Sequence, residues 1–564
     1  MVWHPLVEGR EKIVKEAKLP PFIRARELAK KLGINLKDIT RRLTSEGLRF
    51  KTPKDLIFSW EATSQFAESI GIEPVFDDPD LRRDAVSHRE RRKAGPAGQV
   101  IGKGMVLRPG IVSVMGHVDH GKTTLLDALR NTNVAAREAG GITQRLSAFK
   151  QQQPGEESNH GKAITFLDTP GHKAFFRMRS NGAYLSDMVV LIIACDEGIK
   201  PQTKESYDLA LESELPVVIA LNKIDLPVDT SKIKRRLERL GWVPSPSGTA
   251  ATNSSTAPPS NVRAVVEISA KERRNLDVLV STLANTCREM NLWEDTTCPP
   301  EATVVEVWSE DGSRGRVLKV IVHCGVLEVG QHFVVGYQAG RVRAIFDEDR
   351  KQVERAMPGD PVEIVGLYRG TLPSPGDDLF VVSRDKAEQV VEFRNLVTDF
   401  QGTEGKYDQA LINSIHRESA HSAEDTDEQT NEGEEEEEGD DEEEEEDEDE
   451  KATVPYEEEE EPVVNVVLKA DNLGSLYTLV DACNELSSQG GPKVNIVRAG
   501  VGNVSATDVA YATSAECAIY TFNVGLTHDI KLRKVNNKLK IRIKHFDVFY
   551  HLLDDLKKEQ DALR

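Results

Sequence analysis

At 564 residues and about 150 residues per domain, the chain exceeds a single core and reads as roughly four units, which excludes a small one-domain module. Its 72 basic and 94 acidic residues give a formal charge of −22, which taken whole argues against an RNA-rich partner. That exclusion fails because the charge is local: residues 421–462 hold 26 Asp and Glu against the single Lys451, or −25, and the remaining residues carry +3.

Residues 1–80 read as a small N-terminal helical unit. Two short helices are predicted there, with Leu28, Ala29 and Leu32 on the first and Ile39 and Leu43 on the second, broken at Gly33. The spacing is helix-turn-helix-like, but no set of base-reading side chains accompanies it, so plain helical packing is the simpler reading. Residues 81–109, with many Arg and Lys around Gly95, Pro96 and Gly98, read as a basic linker. Between 110 and 295, continuous apolar runs at 111–115, 164–167, 188–194, 217–221 and 265–268 alternate with amphipathic stretches. Strands apolar on both faces predict a mostly parallel sheet covered by helices. Residues 244–261, rich in Ser, Thr, Pro and Ala, are expected to form an inserted surface loop.

From about 302 to 383 the texture changes to short Val- and Ile-rich strands divided by Gly, Asp and Pro, which predicts a small antiparallel β-barrel in a domain bounded at 300–400, and residues 384–421 look helical then irregular. Residues 401–462 contain the acidic run and are expected to be a disordered linker, since a block of like charge buries no apolar surface. Strand and helix patterns then alternate from 463 to 545, predicting an α/β/α domain. Residues 546–564 read as an amphipathic helix with Leu552, Leu553 and Leu556 on one side. The fold class is therefore α/β multidomain. The longest apolar run, residues 188–195, is far shorter than the roughly 20 residues of a membrane-spanning helix, and no membrane partner is expected. Cys195, Cys287, Cys298, Cys324, Cys483 and Cys517 form no metal-ligand spacing and read as buried thiols.

Gly116, His117, Val118, Asp119, His120, Gly121, Lys122 and Thr123 fit G-x-x-x-x-G-K-[ST] between a predicted strand and helix. In that setting backbone N–H groups cradle phosphate oxygens, Lys122 reaches the β- and γ-phosphates, and the Thr123 hydroxyl binds Mg²⁺. The motif alone also fits a structural glycine turn, but three more segments follow predicted strands. Asp168, Thr169, Pro170 and Gly171 offer a carboxylate for a Mg²⁺-bound water and an N–H for the γ-phosphate. Asn222, Lys223 and Asp225, and then Ser269, Ala270 and Lys271, lie at strand C-termini, where open α/β sheets bind ligands. A carboxylate at Asp225 accepts from guanine N1–H and the 2-amino group, a donor pair adenine lacks.

These strings, with GGITQ at 140–144, DTPGH at 168–172 and MRSNGAYLSDMVVLIIACDEGIKPQT from Met178, resemble the translational GTPases, and within them bacterial and organellar translation initiation factor 2. The resemblance implies GTP and GDP as ligands, with Thr124 in the phosphate motif. Thr143 would be the switch threonine that joins Mg²⁺, and His172 the residue that orients the attacking water. It further implies that Val118 and Ile142 gate that histidine and that Asp119 holds a monovalent cation. After GGITQ the family usually continues His, Ile, Gly, whereas Arg145, Leu146 and Ser147 stand here. No arginine finger is assigned, so slow hydrolysis without the ribosome is expected.

Expected partners by the same resemblance are the small ribosomal subunit with its rRNA and the large subunit on joining, with the chain a monomer. Past the helix at 546–564 the family carries a barrel for initiator tRNA that this sequence does not include, which puts initiator-tRNA capture in question. A partner chain supplying that part, diversion to ribosome assembly, or an incomplete sequence are the alternatives. Two functions follow: an initiation GTPase promoting initiation-complex formation and subunit joining, or a GTP-sensing factor in mitoribosomal small-subunit assembly with little turnover. Low-complexity insertions suggest a mitochondrial protein, with plastid or bacterial cytoplasm behind it, although Glu8, Glu11 and Glu16 are unlike a transit segment.

Overall fold

The computed structural model describes residues 2–4, 12–45, 56–77, 104–130, 143–152, 163–243, 261–310, 314–368, 370–401, 411, 463–488, 491–527, 530 and 541–563. The basic stretch 78–103, most of the loop 244–261, the GGI of GGITQ with Ile142, and the acidic run 421–462 lie outside them. The chain divides into two compact units, Met1–Arg82 with Glu388–Glu460, and Arg83–Ala387 with Glu461–Arg564.

In the first unit the expected helical pair is Ala25–Leu32 and Leu36–Ser45, joined at Gly33. Gly33 has φ 71°, the left-handed conformation that closes a helix C-terminus at little cost to glycine, and its N–H bonds the Ala29 carbonyl. Strands not anticipated from the sequence accompany the helices. Lys12–Leu19 runs parallel to Ile72–Phe76 and antiparallel to Val2–His4, and Phe22–Arg24 pairs with Ile57–Ser59. Charged residues interrupt apolar alternation in these strands, so the period-2 signal is weak. Leu19, Ile23, Leu28, Leu32, Ile39, Leu43, Phe58 and Phe66 form one buried cluster.

The second unit holds three domains in chain order. A six-stranded sheet runs in the order Val262–Glu267, Val217–Asn222, Met188–Ala194, Gly110–Gly116, Ala163–Asp168, Ser147–Gln152. All pairings are parallel except the last, where Ser147–Gln152 is an antiparallel edge. Every residue of Gly110–Gly116 and Met188–Ala194 is buried, as central strands under two helix layers require. The Arg108 guanidinium grips both carboxylate oxygens of Asp187 at 2.6 and 2.7 Å and pins the entry to this sheet. Residues 105–107, expected within the basic linker, are instead a strand paired with Trp293–Asp295.

Glu301–Glu310, Gly315–Cys324, Pro361–Leu367, Gln338–Phe346, His332–Val335 and Asp378–Val381 close into a six-stranded antiparallel barrel. It ends at Val381, and the helical pattern expected from 384 is the helix Arg384–Gln401, which lies past the barrel strands although the domain bounds 300–400 took it in. The α/β/α domain carries a parallel sheet in the order Lys493–Val501, Val463–Ala470, Ala518–Phe522, Ile543–Phe546. Its helices are Leu473–Ser488, Ala506–Ser514 and Phe549–Leu563. One buried cluster joins Phe175 and Met178 of the first domain, Val304, Val320 and Phe333 of the barrel, and Val466, Leu468, Phe522, Phe549 and Leu552 of the third. Burial of this shared apolar surface couples the three domains more firmly than separate cores would. Among the described residues no helix is long and apolar enough to cross a membrane.

Candidate functional site

The C-terminal ends of the buried strands converge on one rim, where the sequence-predicted residues meet. The strand Gly110–Gly116 delivers the chain into a loop that turns at Asp119 (φ 62°) and Gly121 (φ 91°) before the helix Lys122–Arg130. A side chain at Gly121 has no room: a Cβ there would fall 2.4 Å from Asn222 Nδ2. Lys122 is buried, and its ammonium donates to the carbonyls of Gly116 at 3.1 Å and His117 at 2.6 Å. Burial pulls its pKa down to about 8, an effect that Asp168 opposes. The lysine thus sits folded over its own loop, the charge held by backbone oxygens.

Three oxygen donors gather beside it. Thr123 Oγ1 and Thr143 Oγ1 are 2.7 Å apart, and the Thr143 hydroxyl donates to Asp168 Oδ2 at 3.4 Å. Thr143 and Asp168 are buried. Hydroxyl and carboxylate oxygens at this spacing suit a hard divalent cation that keeps part of its water shell, as Mg²⁺ does. Thr124 is exposed on the first helical turn, Asp119 is exposed at the loop tip, and Val118 is half-buried.

Gly171 closes the other side: a Cβ there would lie 2.2 Å from Lys122 Nζ. His172 follows as the cap of a short 3-10 turn, Lys173–Phe175, its Nδ1 accepting from Ala174 N–H at 3.3 Å. Burial first, then the charges of Arg179 and His117, lower its pKa, so the imidazole is neutral at physiological pH. The backbone of this turn is held by Arg179, which is almost wholly buried, donates to the carbonyls of Pro170 (3.2 Å) and His172, and pairs with Glu205. Nothing in the local sequence pattern singled out Arg179, although it lies within the stretch starting at Met178.

At the far end Asn222 works on the protein itself. Its amide donates to the His120 carbonyl at 2.9 Å and accepts from Ala270 N–H at 2.9 Å, tying the phosphate-type loop to the 269–271 loop. His120 is buried with Nδ1 3.2 Å from the Ile192 carbonyl, and burial lowers its pKa to about 4. Lys223, in the left-handed conformation (φ 67°), pairs with Asp196 at 2.9 Å. The Ser269 hydroxyl donates to Asp225 Oδ1 at 2.6 Å and holds that carboxyl below the usual range. Ala270 is buried and Lys271 exposed. The cysteines carry free thiols, and no group of three His, Cys, Asp or Glu able to hold a metal occurs among the described residues.

Three family models match in succession: the elongation factor Tu GTP binding domain over residues 109–289, elongation factor G domain 2 over 299–382, and translation-initiation factor 2 over 434–557. The chain is 31% identical over 540 residues to translation initiation factor IF-2 of Carboxydothermus hydrogenoformans, covering 96% of this chain and 57% of that protein. It is 31% identical over 562 residues to translation initiation factor IF-2 of a Thermoanaerobacter species, covering 99% and 70%. Its span is thus 57% to 70% of the length of these curated relatives. Among solved structures it is similar to GDP-bound aIF5B from Aeropyrum pernix, at 25% identity over 81% of this chain and 75% of that one, with a TM-score of 0.39.

Proposed function

The chain belongs to the translation initiation factor IF-2 family, and we propose that it binds GTP with Mg²⁺, docks on the small ribosomal subunit and hydrolyses GTP to GDP and phosphate during subunit joining. The observation that carries this reading is the meeting of Thr123, Thr143 and Asp168 oxygens beside Lys122 at the end of a buried parallel strand. Thr123, Thr143 and Asp168 would hold the Mg²⁺, directly or through its water, and its charge would offset that of the phosphates. Lys122 exchanges its two loop carbonyls for phosphate oxygens, a replacement that the short Gly116 and His117 contacts prepare. The 143 and 171 segments meet at this end, so a γ-phosphate bonded to both holds both loops, and its departure frees them.

His172, neutral and anchored through Nδ1 to Ala174 N–H, keeps Nε2 for a water. Orienting that water needs no net proton uptake by the enzyme, which suits an imidazole whose pKa is lowered. Asp225, held by Ser269, selects guanine by accepting from N1–H and the 2-amino group with its carboxylate, since the oxygen bonded to Ser269 keeps a second lone pair. No basic side chain of the site is assigned to the γ-phosphate besides Lys122, so stimulation rests on the ribosome. The division of roles is tested with His172→Ala. GTP affinity within about twofold of wild type, with ribosome-stimulated turnover down about 100-fold or more, is the expected result; loss of binding together with turnover would assign His172 to nucleotide capture instead.

A further inference from the structure

The start of the helix Phe549–Leu563 touches both loops on which the GTPase reading depends. Gln144, next to Thr143, spans that start: its Nε2 donates to the Asp547 carbonyl and its Oε1 accepts from Phe549 N–H, each at 3.2 Å. One residue further on, the Tyr550 ring stands nearly edge-on to the His172 imidazole, with centroids 4.5 Å apart and planes at 70°. Phe549 meets Phe175, the last residue of the His172 turn, at 5.3 Å. The helix is firmly seated, with Phe549, Leu552 and Leu556 fully buried and Gln560 donating to the Pro492 carbonyl at 2.6 Å. In the absence of a partner it is the surface against which the histidine ring rests.

Two features define what Tyr550 does there. Its hydroxyl is buried and has no hydrogen-bond partner among the described residues, and the contact with His172 is made by the ring. The loop backbone abuts Lys122 at Gly171, and the next side chain, His172, is engaged by Ala174 N–H through Nδ1 and by Tyr550 against the ring. An imidazole held on two sides cannot swing as a body towards a water at the phosphate without giving up the ring contact. An aromatic pair of this kind is strong enough to bias such a side-chain equilibrium by about fivefold to tenfold.

We propose that Tyr550 is a positioning residue whose ring parks the His172 imidazole against the Phe549–Leu563 helix until ribosome binding shifts that helix and releases it. The proposal rests on the GTPase reading above. It makes the helix the reporter of docking, because the Gln144 bonds and the Tyr550 contact would loosen together.

The test compares Tyr550→Ala, Tyr550→Leu and Tyr550→Phe in the full chain, measuring GTP turnover with and without ribosomes and affinity for a fluorescent GDP. Tyr550→Ala is expected to raise the ribosome-free kcat about fivefold to tenfold while KM stays level. Tyr550→Phe, which keeps the ring and loses a hydroxyl without a partner, should stay within about twofold of wild type. Tyr550→Leu retains apolar volume without a π face and gives the same reading if the alanine variant does not fold. An unchanged or lower ribosome-free kcat in the alanine and leucine variants, or an equal rise in the phenylalanine variant, overturns the restraint. Wild-type chain with no GTP turnover under either condition would refute the GTPase reading instead, which keeps the two failures apart.

Discussion

Two strand-loop-helix connections in the second compact unit share a backbone plan and put the helix N-terminus to different uses. After Gly110–Gly116 the chain turns through glycines into Lys122–Arg130; after Val463–Ala470 it turns through Asp471 and Asn472 into Leu473–Ser488. At the second turn the leading N–H groups already have partners within the protein. Gly474 donates to Glu306 Oε1 at 3.2 Å and Ser475 to Asn472 Oδ1 at 2.7 Å. Glu306 comes from the barrel, so its carboxyl, in accepting from a helix N-terminal N–H, fastens one domain to the next. A Cβ on Gly474 would fall 2.9 Å from Glu306 Oε2 and 2.7 Å from Met178 Cε, so the glycine clears the way for a carboxylate from inside the molecule. At the first turn Gly121 and Lys122 shape and charge the loop on which the proposed nucleotide binding rests. One electrostatic device thus serves domain docking at the second turn and, by the reading proposed above, phosphate at the first, and the side chains brought to it decide which.

The sharpest way to break the first half of this comparison is Lys122→Ala. Loss of a buried cation facing phosphate should weaken GTP binding by about 300-fold or more, near 3–4 kcal/mol, read by calorimetric titration; an affinity within tenfold of wild type would remove the phosphate role from this loop.

The second half is probed through pH. Burial raises the Glu306 carboxyl from 4.5 to about 7, against the opposing bonds from Val307 and Gly474 N–H, with Asp471 adding to the rise and Arg145 countering it. The folded state keeps this proton longer than the unfolded one, so its contribution is full below about 4.5 and is lost as pH climbs through about 7. The loss is on the order of 3 kcal/mol by pH 8. Glu306→Gln keeps an acceptor for Gly474 and cannot ionise, so its melting temperature should match wild type near pH 5 and exceed it near pH 8. Equal pH dependence in the two proteins would show that the carboxylate is not the group under strain. Glu306 also lines a cavity of about 470 Å³ with Met178, Asn181, Ser374 and Tyr477, which lets solvent relax part of that penalty.

A smaller effect separates phosphate capture from base selection at the first site. Asp225→Asn should lower GTP affinity by about 100-fold, near 2.7 kcal/mol, and raise affinity for xanthosine triphosphate, whose 2-oxo group accepts from an amide. Competition binding with both nucleotides reads this directly; undiminished preference for guanine would place selectivity elsewhere.

Much of the architecture was legible in local patterns. The continuous apolar run at 188–194 is the buried strand Met188–Ala194, and the glycine-rich spacing before Lys122 marks a turn from strand to helix. The α/β/α order and the barrel texture were readable for the same reason: period and turn residues are properties of neighbours in the chain. The strands Lys12–Leu19 and Ile72–Phe76 were not, because they pair across more than fifty residues and carry charges that blur the period-2 signal. That the Asn222 amide also ties His120 to Ala270 was not legible, because that role is visible only when three loops are seen side by side.

Which chemistry-bearing residues this chain owns, and which strand ends carry them, is written in local order, since motif spacing and backbone conformation are local. What each one leans on is set by packing. Gln144 reaches Asp547 across 403 residues, Tyr550 meets His172, and a barrel carboxylate caps a helix of the next domain. Such contacts arise from packing faces of separate elements against one another, and no periodicity within either element records the partner it will meet.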